Sequence, residues 1–194
     1  FDDIDNFYDN GIEPQGQSFL SQFFHWSIAS CDFEAMNRYY DGDVRSIARM
    51  LKAGDGTAIA MAAGAMARAI RPGDVLIPVP SHDGRAHDTL LLADAISRIT
   101  GSPVVEAIRG TVRDPIHDLK ARGYLPDAED LGFYRAADIP EDRRAVFIDN
   151  VVGTGTTAVA ARQALGRGHV VAFAWDHTAP HPVGIVGGLA ERHS

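Results

Sequence analysis

An α/β fold, a parallel sheet flanked by helices, is predicted by three features of the sequence. Short apolar runs of buried-strand type recur at VLIPV (75–79), PVVEAI (103–108), AVFID (145–149) and HVVAFAW (169–175). Stretches with helical spacing lie between several of them, and glycines punctuate the joins. Strands that alternate with helices pair in parallel through crossovers, and such sheets bind ligands at the carboxyl ends of their strands.

Residues 1–18 (FDDIDNFYDNGIEPQGQS) mix acids, Gly and Pro without a helical or strand period and read as an acidic arm. The remainder, 19–194, is expected to be one domain. From Phe19 the pattern turns helical, and two further helices are expected at 44–53 and 57–70, parted by Gly54, Asp55 and Gly56. The second is rich in Ala and Met, both good helix formers. Arg71, Pro72 and Gly73 end it, and Asp74 opens the first apolar strand. A helix follows at 87–100, with Leu91, Ala95 and Ile99 at four-residue spacing, and Gly101 stops it. After the strand at 103–108, residues 109–144 are polar with little periodicity, and loops of that length in a compact domain are usually functional or mobile. A helix at 157–165, closed by Gly166 and Gly168, leads into the last strand.

Composition excludes several function classes. The formal charge is −8 over 194 residues, yet residues 1–37 hold seven acids and no Lys or Arg, so the rest is nearly balanced. Net acidity opposes bulk nucleic-acid binding, while a balanced remainder still permits a local cationic pocket for a small anion. The most apolar window, AIAMAAGAMA (58–67), is about half the ~20 residues of a spanning helix, and Arg68 closes it, so no membrane span is expected. Cys31 is the single cysteine, which excludes an intramolecular disulfide or a multi-thiolate zinc site and predicts a reducing, cytoplasmic setting. His177, His181 and His193 lack metal-ligand spacing with acids or thiols, and no zinc site is expected.

The run VFIDNVVGTGTT (146–157) carries the chemistry. An apolar strand delivers Asp149; two apolar residues follow Asn150; then Gly153, Thr154, Gly155, Thr156 and Thr157 lead into a helix. Glycines let the backbone approach an anion, threonine hydroxyls add donors, and the helix amino end favours negative charge, so these five residues form a candidate phosphate cradle. The run lacks the Lys and the spacing of a P-loop and is not a dinucleotide fingerprint.

This pattern resembles the type I phosphoribosyltransferases, whose signature is an apolar strand, two acids, two apolar residues and a Thr/Ser/Gly loop. The resemblance covers 74–175 and implies a fold of that type with a variable hood. It implies that residues 153–157 hold the 5-phosphate of phosphoribosyl pyrophosphate and that Asp149 contacts a ribose hydroxyl. Asn150 stands where the family has its second acid; an amide still donates and accepts hydrogen bonds, as in the uracil branch, which also lacks that acid. Family order places a pyrophosphate loop after the first core strand, here SHDGR, with Arg85 as the cation and the Ser81 and Gly84 backbone as donors. The hood then corresponds to the long polar segment, where Arg109, Arg113, Lys120 and Arg122 form a cationic series. His82 and His117 read as surface or satisfied histidines before proton donors. Base contacts are implied after the last strand, at Trp175 and Asp176 with Phe173 a weaker candidate, though a core ring and a turn cap are the slightly favoured readings of the residues themselves. The VLIPVP strand is also similar to the DNA-uptake competence (ComF-like) branch, but SHDGRAH departs from its basic loop and a lone Cys cannot form its zinc ribbon.

The resemblance thus implies a transferase that moves ribose 5-phosphate between phosphoribosyl pyrophosphate and a nitrogenous acceptor. Asp149, Asn150 and Arg85 would be catalytic, with Mg2+ held mainly through substrate and no direct protein metal site. A homodimer is a further expectation. The alternative, motivated by Asn150, is a regulatory module of the same fold that binds ribose phosphate or nucleotide without chemistry.

Overall fold

Strands with no polar face have to be covered on both sides, and that requirement sets the layers. A computed structural model describes residues 24–28, 31–124, 126–176 and 178–179. The acidic arm lies outside them. The strands are β1 Phe24–Ile28, β2 Cys31–Arg38, β3 Val75–Pro78, β4 Ile108–Arg109, β5 Tyr134–Arg135, β6 Ala145–Val152 and β7 His169–Trp175. The main sheet has the order β1-β2-β7-β6-β3. Its last four members are parallel, and β1 closes one edge antiparallel to β2. The fold is therefore α/β with a mostly parallel five-stranded sheet flanked by helices.

Alternation along each strand divides the core. Val75, Ile77, Phe147, Val170, Ala172 and Trp175 face one side, where α5 (Thr156–Leu165) and the segment around Ala107 and Ile139 cover them. Leu76, Val146, Ile148, Val171 and Phe173 face the other, under α1 (Val44–Lys52), α2 (Gly56–Met66) and α3 (Asp88–Thr100). Asp55 caps α2 by accepting the Ala58 N–H at 2.8 Å, and Gly101, in the left-handed region at φ +74°, ends α3. Asp74, itself buried, holds Arg144 through two bonds of 2.9 and 2.5 Å and so ties the start of β3 to the start of β6. Among the described residues no helix is long and apolar enough to cross a membrane.

Four expectations need correction. The helical reading from Phe19 fails over its described part: 24–38 forms the β1–β2 hairpin, because Cys31, Phe33 and Ala35 alternate with Asp32 and Glu34 and bury one face only. The run 103–108 is barely a strand. Pro103 C=O and Val105 N–H bond to Leu76, and the edge ends in a single bridge at Val104, while Ile108 pairs away from the sheet with β5. The 87–100 helix exists as α3, yet Leu91 and Ile99 lie outward, and Thr89, Leu92, Ala93 and Ile96 form the buried face. The polar segment also holds a short helix, α4 (Ile116–Ala121).

The turn into β7 constrains the core. Gly168 has φ +144°, and a Cβ there would overlap the buried Phe147 ring. Gly168→Ala is expected to lower the unfolding free energy by about 2–4 kcal/mol in urea titrations, combining backbone strain with overpacking.

Candidate functional site

Strand order reverses between β3 and β6. β3 leads to α3 on one face and β6 to α5 on the other, so the carboxyl ends of these neighbours form the topological switch point, the candidate crevice where open α/β sheets place ligands. Residues 80–87 form one bank and 153–155 the other.

The second bank gathers amide and hydroxyl donors. Gly155, at φ +82°, turns the chain into α5 in a conformation that disfavours a side chain. No side chain caps α5, and its first helical bond runs from the Val159 N–H to the Gly155 C=O at 2.9 Å. The amides of Thr156, Thr157 and Ala158 thus have no helical acceptor, and they sit at the positive end of the helix dipole. The Thr154 and Thr156 hydroxyls lie 2.9 Å apart beside them. Gly153 abuts the chain after β7, since a Cβ there would lie 3.9 Å from the Ala179 methyl.

The two polar residues of the β6 end behave differently. Asp149 accepts the Asn150 N–H at 2.7 Å, while burial, reinforced by repulsion from Asp88, pushes its carboxyl up to about 6. Asn150 does not point to a ribose site as expected. It is 2% exposed, its Nδ2 donates to Asp88 Oδ2 at 2.5 Å, and its buried Oδ1 has no partner. Pleat alternation turns it toward α3, away from the side that Asp149 faces.

On the first bank, the expected backbone donors are already engaged. Ser81 N–H donates to Arg85 C=O at 2.8 Å and Gly84 N–H to Ser81 C=O at 3.1 Å, so the tight turn itself uses them. Arg85 is exposed, with no side-chain bond or ion pair among the described residues. Sequence reasoning missed Asp83, His87 and Asp88. The Asp83 carboxylate lies 2.6 Å from His87 Nε2, and this bond holds its pKa below the usual carboxylate range. The legible signal was an acid four residues before a His at a helix start; Asp88 opposite Asn150 had none.

The long segment docks on this turn. Gly110 N–H donates to Gly84 C=O at 3.0 Å and Arg113 N–H to His82 C=O at 2.8 Å. Gly84, at φ +81°, is required there, because a Cβ would overlap the Gly110 carbonyl oxygen. Of the cationic series, Arg109 pairs with Glu106 at 3.6 Å and Arg122 with Asp114 at 2.5 Å. Arg113 is half-buried, with its Nε lacking a partner. The side chains of Lys120 and His117 lie outside the described residues. Trp175 is corrected as a base platform: its indole is buried against Phe24, with ring centres 6.0 Å apart. Asp176 is corrected likewise, since its Oδ1 accepts the Thr178 N–H at 3.0 Å and hydroxyl at 2.6 Å and caps the turn. Phe173 is buried under the helices.

Comparison with known proteins found no matching family model and no matching curated protein.

Two variants test the electrostatics of the β6 end. Asp149 holds its proton more tightly when folded than when unfolded, so stability falls as pH rises from the ordinary carboxyl range through about 6. Asp149→Asn should therefore stabilise the chain by about 1–3 kcal/mol at pH near 7.5, a gain that vanishes near pH 4 in parallel denaturation curves. Asn150→Asp would set a second buried carboxylate against Asp88. It should lose about 2–3 kcal/mol at alkaline pH and recover part of this on acidification, as the pair takes up one proton.

Proposed function

We propose that the crevice binds a phosphorylated ribose and that the protein is a phosphoribosyltransferase of the type I fold, working at the carboxyl ends of β3 and β6. The single observation that carries this reading is the pairing, across one strand-order reversal, of an uncapped Gly-Thr helix start with a turn that presents Arg85. The amides of α5 would hold the 5-phosphate, and Asp149, on the strand between, would orient the ribose. Arg85, with Arg113 from the docked segment, would face the pyrophosphate. In the transfer, the C1–oxygen bond to pyrophosphate breaks, a C1–nitrogen bond to the acceptor forms, and the acceptor nitrogen loses a proton. Arg85 stabilises charge gathering on the departing pyrophosphate. Mg2+ would supply charge neutralisation on the pyrophosphate and take its oxygens mainly from substrate and water. Ordinary reducing, cytoplasmic conditions fit a chain whose Cys31 thiol is buried and pushed up to about 12, hence inert.

The orientation of Asn150 favours the second reading, a ribose-phosphate or nucleotide-binding module without turnover. With its amide committed to Asp88, only Asp149 of the signature pair reaches the crevice.

Pyrophosphate release from phosphoribosyl pyrophosphate and Mg2+, measured across purines, pyrimidines and amide donors, separates the two. Turnover is expected with one class of acceptor, and Arg85→Ala should lower kcat/KM about a hundredfold without a change in Tm. Tight calorimetric binding with no turnover for any acceptor would establish the binding module, and no binding would overturn both.

A further inference from the structure

The sheet has a second functional end. Where the amino ends of β2, β6 and β7 meet, a cavity of about 350 Å³ opens, bordered by Asp32, Ala145 and His169, the first or second residues of those strands. It lies across the full length of the strands from the crevice described above, and neither that site nor the proposed reaction uses it.

Arginines from three separate turns enter this cavity: Arg71 before β3, Arg143 and Arg144 before β6, and Arg167 before β7. Asp74 neutralises Arg144. The other three have no carboxylate partner among the described residues. Arg167 donates to the Pro140 carbonyl at 2.6 Å and the Ile139 carbonyl at 3.4 Å, and also to that of Glu141. Arg143 donates to the Gly73 carbonyl at 3.3 Å. The Arg71 guanidinium makes no bond among the described residues, while the Arg71 backbone N–H is anchored on Asp74 at 2.7 Å. Carbonyl bonds hold a guanidinium in place without cancelling its charge, so Arg143 and Arg167 are positioned without a paired carboxylate, and Arg71 stands exposed beside them.

The facing wall has the opposite character. Glu34 lies between His169, at 3.5 Å, and His25, at 4.0 Å, and Asp32 accepts the Ser27 hydroxyl at 2.5 Å. These carboxylates accept hydrogen bonds from a ligand that carries hydroxyl or amino groups. One end of the cavity thus selects an anion and the other a donor.

We infer that this cavity binds a small phosphate ester, with its phosphate between Arg71, Arg143 and Arg167 and its hydroxyl- or amino-bearing end toward Glu34 and Asp32. Three guanidiniums that converge from three turns match the three terminal oxygens of a phosphate better than the two of a carboxylate. The volume is at the small end of ligand pockets and admits a sugar phosphate or a nucleoside monophosphate. Such a site lies far enough from the crevice to act on it only through the strands that join the two ends.

The test is an isotope-edited NMR titration of the full chain with adenosine monophosphate and, separately, inorganic phosphate. Both probes are expected to shift the amides of Arg71, Arg143, Ala145, Gly168 and His169. Arg71→Glu, a change at an exposed side chain with no bond among the described residues, should weaken this binding by at least about tenfold, with Tm unchanged, whereas Arg85→Ala should leave it intact. Shifts confined to 81–85 and 153–158, no saturable shift at millimolar probe, or full affinity in Arg71→Glu would each overturn the assignment. The first of those outcomes would leave the crevice reading standing, so the two fail separately.

Discussion

β6 is paired on both edges and buried on both faces, and most of the molecule follows from that constraint. A strand so enclosed tolerates polar groups only where a neighbour satisfies them. Its two, Asp149 and Asn150, come as the strand nears its carboxyl end, where pairing with β3 has stopped and α3 begins. Asn150 reaches across to Asp88, and Thr89 in the next position donates to the Val79 carbonyl at 2.7 Å. The start of α3 is thereby fixed to the ends of both strands, which places residues 80–87 opposite the Gly-Thr loop. Asp149 stays on the other side of the pleat, carrying the desolvation that raises its pKa toward neutrality. Structural need and candidate chemistry thus divide between two adjacent residues.

The amino ends of the same strands answer a different demand. Turns that enter parallel strands expose carbonyls, and here Arg144 and Arg167 gather those of Ala69 and of residues 139–141 while Asp74 neutralises only one of them. Buried ion pairs of this kind contribute little net stability, and their clearest effect is to hold the register of the elements they join. Cationic side chains thus gather at one end of the sheet and an amide-rich helix start at the other, in a protein that is net acidic.

Strand and helix alternation from Asp74 onward was largely legible because buried parallel strands are continuous apolar runs, and VFIDNVVGTGTT gave the strand, the glycine turn and the helix start from local chemistry alone. What escaped depended on contacts distant in sequence. The hairpin at 24–38 was hidden because Asp32 and Glu34 lie on the outward face of an edge whose neighbour, β7, is more than a hundred residues away. Leu91 and Ile99 have helical spacing on an exposed face, whereas the buried stripe that crosses α2 is Thr89, Leu92, Ala93 and Ile96. Asn150 looked like a ribose contact until pleat parity turned it to α3, and the Ser81 and Gly84 amides looked available until the turn they close was built. Trp175 reads as a base platform in isolation, but the ring it meets, Phe24, comes from the opposite end of the chain.

The contact between Gly84 and Gly110 joins two loops with no side chain between them, backbone against backbone. Segments that touch through flexible side chains can slide independently; two main chains locked by reciprocal proximity and by a second bond from Arg113 to His82 cannot. Displacement of the long segment therefore carries Arg85 with it. The long segment and the turn that carries Arg85 are thus coupled through main chain, and a side-chain substitution in either loop leaves that coupling in place.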